Sequence, residues 1–243
     1  MSLETRLKRN FKFDATESHE FLFSVIITTI IIFMFSWRTT DYTFILAIRD
    51  LVLLAIISLV SLFVFVGGIK FFAIGRGYTA NYNYWIGGLL GGFLISFITY
   101  GFLPIVFPGI INLKTNDRLR HGQIFIGENK VDVFWILASG LITTILFSFV
   151  LLIIYSITGF ELIYYGALLN AFIGFFASLP FPNNIGLHMF YMKKKPYFFF
   201  LGMTSFVLVL VQAKNILNLL IGLGIFIILA YILKKFFLTK YKI

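Results

Sequence analysis

Apolar runs separated by short polar stretches set the plan of this chain. Nearly uncharged runs of about 16 or more residues recur along its length, most of them long enough to cross a ~30 Å hydrocarbon core as helix. The pattern predicts spans at 21–37, 51–74, 134–157, 161–181, 197–212 and 216–233. A polar segment, 1–20, precedes them, and a basic tail, 234–243, follows. Asp14 with Glu17 three later has capping-box spacing ahead of the first run. No small-residue cleavage site follows that run, so it reads as a retained helix.

The run 86–107 differs from the others. It holds five glycines and Pro104, and Pro108-Gly109 lies just beyond. Gly87 with Gly91, and Gly88 with Gly92, are small-xxx-small spacings that let another backbone come close. Broken backbone at membrane depth survives only when buried in protein or lining a cavity. Charge separates a full crossing from a re-entrant turn. If 86–107 turns back, one side of the membrane gathers seventeen of the twenty Lys and Arg, leaving Arg38, Arg49 and Lys214 opposite. The positive-inside rule prefers that arrangement. The expected fold is an all-α polytopic membrane protein of six transmembrane helices plus one Gly/Pro-rich re-entrant element. Both termini are then cytoplasmic, in a cell (plasma) membrane.

Composition agrees. Apolar residues make up 60% and charged residues 12%, against about 25% charged in soluble domains. Mean hydropathy is +0.96. The surplus of +10 reads as orientation and contact with anionic lipid, with no nucleic-acid partner expected. The run Lys193-Lys194-Lys195 is the clearest lipid-facing basic group. Cysteine is absent, which excludes disulfides and thiolate metal sites.

Candidate chemistry is sparse. None of the ten acids lies in a span core, which argues against a proton-coupled transporter. His19, His121 and His188 stand far apart, without the i, i+4 spacing of a metal-binding helix face. Ser58, Ser61, Ser96 and Ser178 have no paired base and read as helix serines bonded to the preceding turn. The stretch 177–188 carries Pro180 and Pro182, which end the fifth span, with Asn183 and Asn184 placed to satisfy freed backbone groups. It reads either as a helix-terminating turn or as a strand-like edge lining a cleft.

Several of these pieces together resemble the site-2 protease family of intramembrane zinc metalloproteases, in its archaeal branch. In that family a span ends in H-E-x-x-H with an A-x-x-x-G tail. Ala73 and Gly77 match the tail, which puts Phe65, Val66 and Ile69 on the His, Glu and His positions. Gly122 and Ile124 match a later G-x-I, and Gly127-Glu128-Asn129 stand where A-G-P occurs. Pro180, Phe181 and Gly186 match the frame of a P-x-x-P-x-D-G turn, with Ile185 at the aspartate that completes the metal site. The resemblance runs from about residue 14 to 195. It implies a six-helix core with its site near the cytoplasmic face. It also implies that this chain holds no zinc and does not cleave by the family's mechanism, because apolar side chains neither ligate metal nor activate water.

The expected function is accordingly that of a catalytically inactive binding or assembly subunit for other membrane proteins, without cofactor or metal. Its partner cleft would be lined by Gly67, Gly68, Gly87, Gly88, Gly91, Gly92, Pro180, Pro182, Asn183, Asn184 and Gly186. Two alternatives stand beside it: a small transporter or channel component whose re-entrant segment lines the path, and a protease-fold enzyme completed by a partner subunit.

Overall fold

A computed structural model describes residues 11–38, 43–115 and 129–213, together with isolated helical positions at 221, 224, 228 and 231. Five of its helices are long and apolar enough to cross a membrane: α1 (Ala15–Trp37), α2 (Phe44–Gly75), α4 (Lys130–Thr158), α5 (Glu161–Ser178) and α7 (Lys194–Gln212). The chain is a membrane-embedded, mainly helical protein. The span expected at 216–233 lies outside the described residues, apart from those isolated helical positions.

Between the long helices come β1 (Tyr78–Asn83), α3 (Ile86–Ile98), β2 (Ile110–Thr115) and α6 (Ile185–Met192). α2 and α4 pack side by side, and α4 and α5 pack together most extensively among the described elements. They are joined through Gly159, whose left-handed backbone (φ 67°) closes α4 by donating to the Tyr155 carbonyl. α1 covers α2, and α7 covers α5. Lipid tails are as apolar as the side chains, so close approach at small residues has to hold such helices together. Gly166 of α5 lies against Ile57 of α2, and Gly68 of α2 lies against Thr143 of α4.

The run 86–107 is a short helix followed by an extended return. β1 and β2 are antiparallel, Asn83 pairing with Ile110, so the chain leaves and re-enters the sheet at one place. The return leg lies on α3 where Gly92 has no side chain, against the Ile105 carbonyl. Ser96 ties the two legs, its hydroxyl donating to Leu103 O (2.9 Å) and accepting from Ile105 N (3.3 Å). At the tip, Gly101 sits against the α1 backbone at Met34, while Tyr84 at the base meets Glu20. Fourteen residues of α1 separate those levels, about 21 Å at 1.5 Å per residue, short of the ~30 Å core.

The hairpin was not foreseen. Its first strand alternates as strands do, with Tyr78, Ala80 and Tyr82 inward, but its partner lies beyond the whole α3 excursion. The first span also starts earlier than the apolar run, at Ala15. Asp14 makes no side-chain cap, because Glu17 turns inward to other partners, so the expected capping box does not form.

Candidate functional site

The positions registered on the family's zinc ligands and base lie in the packed core. Phe65, Val66 and Ile69 are fully buried on α2. Phe65 and Ile69, one turn apart, fill a notch on α4 above Gly140. A Cβ placed on that glycine would stand 2.6 Å from Ile69 Cδ1 and 3.0 Å from Phe65 Cε2. Ile185 is also buried, as the first residue of α6, and α6 packs on the same helix α4. The two segments therefore share α4 as a neighbour. Each is filled by hydrocarbon that offers neither a lone pair nor a proton. Among the described residues, no group of three or more His, Asp or Glu is placed to hold a metal ion. His19 and His188 are exposed, and His188 Nδ1 pairs with the Asn184 carbonyl at 3.1 Å. His121, Gly122, Ile124, Gly127 and Glu128 lie outside the described residues. Asn129 caps α4, accepting from Val131 N. Ala73 is buried in the last turn of α2, and Gly77 (φ 83°) turns the chain from α2 into β1.

The stretch 179–184 is a helix-terminating turn and not a strand edge. Asn183 takes a left-handed backbone (φ 58°). Asn184 does what its position suggested. Its amide donates to Phe176 O (2.6 Å) and Leu179 O (3.0 Å), adding a second bond to carbonyls that already accept from Leu179 N and Phe181 N, and its oxygen accepts from Ile185 N. Pro180, Pro182 and Asn183 are exposed, while Gly186 sits against the carbonyls of Ser178 and Leu179. Phe107 on the return leg joins this turn to the α3 excursion, stacking edge-on with Trp85 (5.3 Å), Phe181 (5.5 Å) and Phe176 (5.8 Å). Within the expected cleft, Gly68, Gly88 and Gly92 are covered by Thr143, Trp85 and Ile105 of the chain itself. Gly87 and Gly91 face outward, with open space beside Gly91, and Gly67 has only ordinary contacts.

The polar structure at this end of the bundle centres on two buried charged residues. Lys70, one of the seventeen basic residues that the charge count gathers on one side, is 2% exposed, and Glu17, expected to help cap the first span, is 5% exposed. They pair at 2.7 Å. Lys70 Nζ also donates to the Lys12 carbonyl (2.9 Å) and stands 3.9 Å over the Phe13 ring. Glu17 Oε1 accepts the backbone N–H of Tyr82 (2.7 Å), and Glu20 accepts that of Tyr84 (3.0 Å). Two carboxylates of α1 thus cap the outer edge of β1. Tyr82 donates its hydroxyl to Ser24 (2.7 Å), and burial pushes its pKa well above the ordinary value of 10.0. Arg76 and Asp132 pair nearby, joining α2 to α4.

The sheet's other edge follows from the same geometry. Because the Tyr82 N–H points to α1, Tyr82 and Ile111 form a non-hydrogen-bonded pair. The N–H and C=O of Ile111, and of Leu113 two residues on, therefore point away from β1. Among the described residues neither has a hydrogen-bond partner on that side. Around the hairpin, Asp14, Thr16 and Glu20 face Asn81, Asn112 and Lys114 across a half-open polar cleft of about 200 Å³. No family model, no curated protein and no solved structure matches this chain.

Proposed function

We propose that this protein is a non-proteolytic relative of the site-2 proteases that works as a binding or assembly subunit for other membrane proteins. The observation that carries the reading is the hydrocarbon plug of Phe65, Val66 and Ile69 over Gly140, with Ile185 buried on the same helix. Such a site has no ligand for a metal and no room for the water that hydrolysis needs. Binding does not need them. The strand β2 supports it, with an outer edge that has no hydrogen-bond partner among the described residues and that an extended segment of a partner can join by main-chain hydrogen bonds. The exposed Lys193, Lys194 and Lys195 suit anionic headgroups at the same end of the bundle, Lys194 resting 5.5 Å over the Phe190 ring.

The test is Leu113→Pro. Its N–H faces outward, so proline removes the edge donor while leaving the bonds between β1 and β2. Partner proteins recovered with the wild type from native membranes are expected to be lost with Leu113→Pro and kept with Leu113→Ala, which gives up the same packing on the core but retains the N–H. Full recovery of the same partners with Leu113→Pro overturns the binding mode.

A further inference from the structure

Between α2, α4 and α5 lies a layer of small polar residues at mid-length of the bundle. Ser58 and Ser61 stand one turn apart on α2, and Asn170 faces them from α5, all three fully buried. The Asn170 amide nitrogen donates to Ser61 Oγ (2.8 Å) and back to Gly166 O (2.9 Å). Gly166 in turn lies against Ile57. The two helices therefore run parallel in step, Ile57 beside Gly166 and Ser61 beside Asn170. The Asn170 head group, bent back toward Gly166, shares a level with Ser58. From α4, Ser148 donates to Ala167 O (2.7 Å) at that same level.

Two atoms in the layer have no hydrogen-bond partner among the described residues: Ser58 Oγ and Asn170 Oδ1. A buried polar atom left this way is costly, and native proteins satisfy nearly all of them. Here one atom is a pure acceptor and the other is a hydroxyl, while Ser61 has an O–H whose oxygen already accepts from Asn170. A water molecule matches that set. It donates to Asn170 Oδ1 and to Ser58 Oγ, and it accepts from Ser61, giving the three bonds usual for buried water. A cation fits poorly, since it satisfies no O–H and wants several oxygens. The nearest acids on these helices, Asp50 and Glu161, lie about two turns or more away in sequence.

We infer that this layer binds one structural water, which pins α2 to α5 one turn from the plug at Phe65. Full-length protein in nanodiscs provides the test, by an experimental structure at high resolution and by thermal unfolding of Ser58→Ala. The structure is expected to show one water peak within hydrogen-bond distance of Asn170 Oδ1 and a serine oxygen. The variant is expected to melt about 2–4 °C lower, the shift that loss of one ordinary hydrogen bond causes in a chain of this size. If the hydroxyl were unsatisfied, its removal would leave the melting temperature unchanged or raise it, and that result overturns the inference. A layer closed without a water peak overturns it as well. So does a melting temperature that rises with sodium chloride but not with choline chloride, which would mean a cation.

Discussion

Glu17→Gln is the most informative single change in this protein. The substitution keeps the size of the side chain and one oxygen, and removes the charge that faces Lys70. The ammonium, 2% exposed, would keep only the Lys12 carbonyl and the face of Phe13. Breaking a buried pair by neutralising one partner costs about 3–5 kcal/mol, because the other charge stays desolvated. The glutamine oxygen can still accept from Tyr82 N, so the lower end of that range is expected. Lys70→Met leaves a buried carboxylate and is expected to cost a similar amount. The double variant is different: no charge remains to strand, and methionine fills the space of the lysine stem. Replacing both charges of a buried pair by uncharged groups is often close to neutral, so the double variant is expected within about 1 kcal/mol of wild type. Equilibrium unfolding in mixed micelles measures all four proteins, and hydrogen exchange at the Tyr82 and Tyr84 amides reports the hairpin edge. If the two single losses simply add in the double variant, Glu17 and Lys70 are not coupled, and the reasoning fails.

Other outcomes follow from packing and titration. Gly140→Ala is expected to cost about 1–3 kcal/mol by unfolding, since Phe65 and Ile69 already fill its notch. Gly92→Ala strikes a backbone carbonyl, that of Ile105, and is expected to lower the melting temperature, whereas Gly91→Ala, with open space beside it, should match or exceed wild type. Asn184→Ala is expected to lose about 1–2 kcal/mol, as it uncaps α6 and removes the side-chain bonds to Phe176 O and Leu179 O. Tyr82 gives an alkaline signature. Its buried hydroxyl holds its proton more tightly folded than unfolded, so its contribution is whole below pH 10 and falls away as pH rises further. Wild type is therefore expected to lose more stability between pH 9 and pH 11 than Tyr82→Phe; equal slopes would contradict this.

The parts of the fold legible in the sequence were those that depend on run length and composition. Spans of about twenty apolar residues were visible because lipid demands them, and the glycines and prolines of 86–107 marked it as unlike the other runs. The inward face of each helix was not legible. On α2, Leu54, Leu62 and Phe65 are buried while Ile56, Leu59 and Phe63 are exposed, and in a membrane both faces are equally apolar. Helix starts were read late because Thr16 to Glu20 look like solvent residues, yet Glu17 is buried against Lys70, 53 positions on. No local pattern carries a pair so distant. The hairpin stayed hidden for the same reason, since the partner of Tyr78–Asn83 follows the whole α3 excursion. Phe65, Val66, Ile69 and Ile185 were legible as apolar, but that Phe65 and Ile69 pack into the notch at Gly140 was not.

The central claim of the proposed function is that Phe65, Val66 and Ile69, registered on the site-2 protease ligand and base positions, fill that place with hydrocarbon and hold no metal. Elemental analysis of protein purified from native membranes without chelator tests it most directly. The account predicts zinc at the level of a buffer-matched control, unchanged in Phe65→Ala and Ile69→Ala. One zinc per chain that is lost on altering those positions would contradict it.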